Sequence, residues 1–553
     1  MSKKLISRVS FLICFFIVFS CGITFSNAQA SQITIILNGQ QLVYDDSTGY
    51  PYYDSNGRMQ VPLRATLEPL GATVSVNSKK NSVIVVKDDI IIEVPFGKPY
   101  IYKNGEILIN DTISSVKDNK TYLPIRIVLE ALGYSLTFNS KTNTLSIDNV
   151  RTDSSNSITI WHYYKYEADN IKKALTKKFP ETKIYLTVTP DTQLNYQNKL
   201  AAAYRANSGM PDLFALESAF IKRFIDVDGL CENLGLDKYK AADITSNMFP
   251  FTLDIAKDYE GNLKGLSWYA CPGGVGYKRD IAKKYLGTDD PDKIENMLSS
   301  PENIIGTAKT LYNNSKGTAK LFPGHEDLFQ LYSCARSQPW IVNNKLTIDS
   351  KMIECLDLQK YLFKNKYSGD IRAWTPYWNK SISDRTTMCF AIPTWGISNI
   401  IEANDKSNLN KGMWGIAKAP YNYYWGGTVL CMSATSDKKD LSWQFMKYLT
   451  SDKDHLEECA QNYGYFINNK ELVSKFKNDD TYINKTINQN IFKVYEPIAN
   501  DINATTATGL DDIINNDWLN ISEYYFNDRK TKEKALADFS FKVFEDIPYI
   551  DIF

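Results

Sequence analysis

The residues best suited to chemistry in this sequence are cysteines, clustered acids, a glycine run and ten tryptophans. Most of the reactive readings fail on spacing. Of nine cysteines, Cys14 and Cys21 lie in the first thirty residues. The others (Cys231, Cys271, Cys334, Cys355, Cys389, Cys431 and Cys459) are odd in number and scattered, with no CxxC pair. That is neither a disulfide framework nor a zinc site, and they read as small buried apolar residues. Gly273-Gly274-Val275-Gly276 misses the dinucleotide spacing, and the chain holds no P-loop, HExxH or GxSxG. Asp289-Asp290-Pro291-Asp292 lacks the loop glycine and distal Glu of a calcium loop, and reads as a helix-capping turn. No catalytic residue, metal ligand or cofactor is assigned. Charge is balanced at 63 basic and 63 acidic side chains, so no global basic field argues for nucleic acid. Tryptophan remains, and its chemistry is non-covalent: flat apolar faces with one donor each.

All ten tryptophans lie between Trp161 and Trp518. The polar stretch Asp148 to Ser157, DNVRTDSSNS, sits at the edge of that region and reads as a linker. Before it, Lys3, Lys4 and Arg8 precede an apolar run, Leu12 to Phe25, and the small-x-small site Ala28-Gln29-Ala30. This is the pattern of a secretory signal cleaved after Ala30, and the run is too short to favour a membrane span. Val18-Phe19-Ser20-Cys21 loosely matches a lipobox, which makes Cys21 the alternative lipid-attachment residue. Either route places the mature chain outside the cytoplasm, at the cell surface. The expected order is therefore a signal over 1–30, a front domain over 32–149, a linker over 150–157 and a large domain over 158–553.

The front domain writes one phrase twice. VPLRATLEPLGATVSVNSKKN from Val61 returns as LPIRIVLEALGYSLTFNSKTN from Leu123, with ten identical positions and no gap. In each copy a proline opens a short helix, apolar residues at i, i+4 and i+7 (Leu63, Leu67, Leu70; Ile125, Leu129, Leu132) form one stripe, and glycine stops it. Alternation around a polar turn then predicts a β-hairpin. Two repeats, about 32–86 and 90–149, are expected to share one core in a small α+β domain. Arg64 and Arg126, and Glu68 and Glu130, recur at equal spacing and read as structural pairs. The pattern resembles the copper amine oxidase N-terminal-like domain of exported bacterial proteins. A copper centre with three histidine ligands would use His162, His325 and His455, and none lies in the repeats. The repeat reads as a spacer or docking module, with cell-wall polymer as its candidate partner.

From Ser157 the pattern becomes strand (Ile158 to Trp161), helix (Glu167 to Phe179), strand (Lys183 to Val188), helix (Asn195 to Ser208) and strand (Leu213 to Leu216). Such a βαβαβ unit implies α/β architecture with a parallel sheet and ligands beyond the C-terminal strand ends. ITIWHYY followed by KLAAAYRANSGMPDLFALES resembles the start of an extracellular solute-binding protein of the carbohydrate-uptake type, family 1. Gly265 to Asp280, Thr387 to Trp395, Trp425-Gly426-Gly427 and Gly464-Tyr465 continue that resemblance in order.

The resemblance implies a periplasmic-binding-protein-like fold: two lobes, an interlobe hinge, and closure on a ligand that is then delivered to the permease subunits of an ABC importer. It implies an oligosaccharide ligand, with ring faces against aromatics and hydroxyls on polar groups. Strand ends and glycine turns then select Trp268, Tyr269, Trp395 and Trp425 as stacking platforms. Tyr164, Glu217 and Tyr465 are selected as hydrogen-bonding residues. Trp161 and Trp443, inside regular elements, are expected in the core, and His162 as a structural polar contact. Two rival readings are a cell-surface polymer-binding protein without a transport role and a secreted glycosidase, whose two carboxylates spacing alone does not reveal among the acids.

Overall fold

The computed structural model describes residues 33–549 apart from 38, 56, 88–89, 111, 119, 140–141, 150–155 and 208. The signal segment, Cys21 and most of the linker lie outside the described residues. The chain divides into two compact units that meet between Asn149 and Val150.

In the front unit the two copies are interleaved. Strand Met59–Pro62 of the first pairs antiparallel with Lys120–Pro124 of the second, Val61 opposite Leu123. The opening strand Thr34–Leu37 instead pairs parallel with Thr144–Asn149, so the first residues of one copy complete the hairpin of the other. A single core results. It takes Leu63, Leu67 and Leu70 from one helix segment and Ile125, Val128, Leu129 and Leu132 from its counterpart. Gly71 and Gly133 stop the helices at φ +80° and +85°, in the left-handed region that glycine enters at least cost. Pro62 stands one place earlier than the repeat predicts: it ends its strand and caps helix Leu63–Leu67. Arg64–Glu68 and Arg126–Glu130 are i,i+4 pairs on exposed helix surface, at 4.0 and 3.7 Å. Such pairs contribute only tenths of a kcal/mol.

The large unit is two-lobed. Its first sheet runs, in spatial order, Lys183–Val188, Ser157–His162, Leu213–Glu217, Thr428–Met432, Gly265–Leu266. The first three strands are parallel, as the βαβαβ pattern predicts, and Thr428–Met432 enters antiparallel. The second sheet is built on Pro272–Lys278, flanked by Cys389–Pro393 and Trp414–Ala417. Side chains alternate across it: Phe390, Ile392, Trp414 and Ile416 join one core, while Cys389, Ala391 and Ala417 join the other. A period of two with both faces buried explains why these strands read as almost continuous apolar runs. The chain leaves the first sheet after Leu266 and enters the second at Pro272. It returns between Tyr424 and Thr428 and crosses a third time before the closing helices Asp511–Phe526 and Lys532–Asp546, whose Trp518 and Phe539 join the second core.

The glycine run lies in the second sheet's central strand and serves packing. A Cβ on Gly273 would fall 2.1 Å from the Tyr423 ring, and one on Gly276 would fall 2.4 Å from Ile392. Gly273→Ala is therefore expected to lower the unfolding free energy of the large unit by about 3 kcal/mol, measured by denaturant titration. The seven cysteines are unpaired, and all but Cys334 are fully buried. Asp290 accepts the amide hydrogens of Asp292 and Lys293, capping helix Pro291–Leu298.

Candidate functional site

The first two crossings carry aromatic residues, and they deliver them differently. On the first, Trp268 and Tyr269 turn inward, at 3% and 7% exposure, with neither ring left open. Tyr269 lies between Trp268, packed edge-on at 5.2 Å, and Tyr465, stacked at 4.8 Å. Its hydroxyl donates to Glu167 Oε1 at 2.7 Å, and Thr428 Oγ1 donates to Glu167 Oε2 at 2.7 Å. Tyr163 bonds the same threonine hydroxyl. Glu167 thus ties the first lobe to residues of the first two crossings. Burial raises its carboxyl above the usual range, and the two hydroxyl donors oppose that rise. His162 is buried beside it, with Nδ1 accepting the Tyr164 amide hydrogen at 3.0 Å. This is the structural polar contact that its place at the strand end predicts.

The second crossing presents a tryptophan cluster. Trp395 Nε1 donates to the Trp425 carbonyl at 2.7 Å, and the two rings meet edge to face at 5.5 Å. Gly426 permits this approach, because at φ +77° it carries no Cβ, which would sit 2.7 Å from Trp395 Nε1. Trp374 completes the group. Its ring is near-parallel to Trp395 (6.1 Å, 16°) and edge-on to Trp425 at 5.7 Å. Trp374 is 55% exposed and adopts φ +63°. A bulky residue in the left-handed region costs about 1–3 kcal/mol, and such strain gathers at ligand sites. Sequence reasoning passed over Trp374. Its one signal was a position just before the Thr375 cap of helix Pro376–Ser383.

The cluster is tied to the first lobe through Gly427, whose carbonyl accepts the Ser218 amide hydrogen at 2.9 Å. Glu217, the preceding residue, ends strand Leu213–Glu217 and is half-buried. Its oxygens accept from Ser218 Oγ and the Ala219 amide, both at 3.2 Å. Burial pushes the carboxyl up to about 7, with the charges of Glu167 and Asp191 adding to the rise. Tyr164 stands at the neighbouring strand end, 42% exposed. Tyr465 is half-buried on the Tyr269 ring. The structure thus gathers Trp395, Trp425 and Glu217 around the second crossing. Trp268 and Tyr269 belong to the packed interior beneath it. Trp443 is core, and Trp161 is partly covered, with Lys199 Nζ 4.0 Å from its ring centroid.

The Glu217 shift has a stability consequence. A carboxyl that binds its proton more tightly folded than unfolded supports the fold fully below the unfolded value of 4.5. That support is lost as pH rises toward about 7. Glu217→Gln should therefore raise the thermal midpoint relative to the parent near pH 8 and change it little near pH 5. Asp327, also pushed up to about 7 by burial, titrates in the same window, so the difference between the two proteins is the quantity to read.

Comparison with known proteins agrees with this architecture. Residues 36–147 match the copper amine oxidase N-terminal domain, and residues 170–486 match the bacterial extracellular solute-binding protein family. Among solved structures, the sugar-binding protein MalE of Xanthomonas citri is 15% identical, with TM-score 0.58, covering 70% of this chain and 97% of its own. The GacH receptor of Streptomyces glaucescens, solved unliganded and with acarbose, is 16% identical, with TM-score 0.54, covering 72% and 100%. The substrate-binding protein Lmo0181 of Listeria monocytogenes, solved with cycloalternan, is 16% identical, with TM-score 0.53, covering 71% and 99%. With a family match over more than half its length, this chain belongs to the bacterial extracellular solute-binding proteins, and it carries a copper amine oxidase N-terminal-type domain in front.

Proposed function

We propose that the large unit captures an oligosaccharide between its lobes and hands it to the permease of an ABC importer, acting as a binding protein and not as an enzyme. The observation that carries this reading is the Trp374–Trp395–Trp425 cluster, set beside a half-buried carboxylate where the chain crosses between lobes. Indole faces cover the C–H faces of sugar rings, and Glu217 and Tyr164 offer partners for hydroxyls. Proteins of the same fold have been solved with acarbose and with cycloalternan, which supports a carbohydrate over other small solutes. Closure of the lobes would convert contacts on both sides into a shift toward one closed form, the form a permease reads.

Residues 1–30 would direct export, with Cys21 as the alternative lipid anchor, and 150–157 would link the domains. The front unit would space or dock the binding lobes at the cell surface. Thermal unfolding of the whole chain against mono- and oligosaccharides tests the reading. A ligand at about 100 times its dissociation constant adds roughly 2.7 kcal/mol and raises the midpoint. A panel of neutral and charged oligosaccharides that leaves the midpoint unmoved would contradict it.

A further inference from the structure

Glu217 is a carboxylate without a counter-ion. Among the described residues it makes no ion pair, and its two hydrogen bonds, both 3.2 Å, are long for a charged acceptor. The carboxylates that act on it, Glu167 and Asp191, have the same sign. Arg336 and Arg223 pair elsewhere, with Asp511 and Asp512. His162 supplies no charge either. Burial pushes its imidazole down to about 3. It is fully buried, and its Nε2 has no hydrogen-bond partner, facing Glu167 Oε2 at 3.5 Å. The charges that act on Glu217 are thus of its own sign, and the rings beside it are tryptophans, whose faces attract cations more than those of Tyr or Phe.

A neutral sugar would desolvate Glu217 on closure and return only hydroxyl contacts. Resting on the oligosaccharide reading above, we infer that the cleft takes a sugar bearing a protonated amine, its ammonium group on Glu217 and its ring against the Trp374–Trp395–Trp425 cluster. The ammonium supplies the missing positive charge and makes charge-assisted hydrogen bonds to oxygens that have lone pairs to spare.

Isothermal titration calorimetry of the whole chain at neutral pH separates the cases. The probes are the β-1,4-linked glucosamine disaccharide, its N,N′-diacetyl counterpart, cellobiose and spermidine. The amine disaccharide is expected to bind at least about tenfold tighter than the diacetyl form. Glu217→Gln should remove that preference, bringing the affinities for the amine and diacetyl forms within about threefold of each other. Equal or tighter binding of the diacetyl form or cellobiose overturns the inference and leaves the oligosaccharide reading standing. Binding of spermidine alone, weakened by Glu217→Gln, supports ammonium recognition at Glu217 and overturns the sugar body of the ligand. If none of the four binds, the inference is overturned, and the wider sugar panel decides the oligosaccharide reading separately.

Discussion

Trp395→Ala is expected to weaken oligosaccharide binding about 100-fold, with a smaller effect on folding stability. The indole sits at the centre of the cluster, near-parallel to Trp374 and edge-on to Trp425. Its removal deletes one stacking face and one ring contact of each of the other two indoles. It also frees the Trp425 carbonyl, which accepts the indole hydrogen at 2.7 Å, so the second crossing loses the bond that fixes it. Central, well-packed tryptophans dominate binding energetics elsewhere for the same reason. Stability should suffer less, because Trp395 is only partly buried. Trp395→Phe separates the two contributions: it keeps part of the face and loses the hydrogen bond, so its affinity should fall between those of parent and alanine. Calorimetric titration with the best ligand of the sugar panel checks the order.

Glu167→Ala should lower the unfolding free energy of the large unit by about 3 kcal/mol. Three hydroxyls converge on or beside this carboxyl: Tyr269, Thr428 and, through Thr428, Tyr163. Tyr269 and Thr428 are buried, so an alanine leaves buried donors without their acceptor, the costly half of hydrogen-bond energetics. Glu167→Gln should recover most of the loss, since its carbonyl oxygen accepts one hydroxyl and its amide can donate to the other. The network also ties the first lobe to the first two crossings. The alanine variant should accordingly bind ligand more weakly than its stability loss alone explains, because the hinge is less fixed. Urea titration followed by tryptophan emission measures the first effect, and calorimetry at a temperature where the variant remains folded measures the second.

Much of this architecture was legible in the sequence. The duplicated phrase fixed the helices, the stops at Gly71 and Gly133 and a shared core, because periodicity and glycine punctuation are local signals. The interleaving of the copies was not legible: the parallel pairing of Thr34–Leu37 with Thr144–Asn149 joins residues more than a hundred places apart. The first three strands of the large unit followed from alternation alone, whereas Thr428–Met432 enters that sheet from far along the chain.

At the site, Trp395 and Trp425 could be picked out because each adjoins a strand end or glycine turn. Position on a crossing did not reveal direction, so Trp268 and Tyr269 were expected to face ligand and instead pack inward. Trp374 escaped because its left-handed backbone leaves no mark in composition. Glu167 escaped because it meets Thr428 across 261 residues, and only the folded chain brings them together.

The account rests on the tryptophan cluster meeting a sugar. Its most direct measurement is intrinsic tryptophan emission during titration with the oligosaccharide panel, for the parent and for Trp374→Phe and Trp395→Phe. The account expects at least one oligosaccharide to change parent emission saturably, and each variant to shrink that change while unfolding at nearly the parent temperature. Saturable binding seen by calorimetry, with the ligand-induced emission change equal in parent and variants, would place the ligand elsewhere and contradict it.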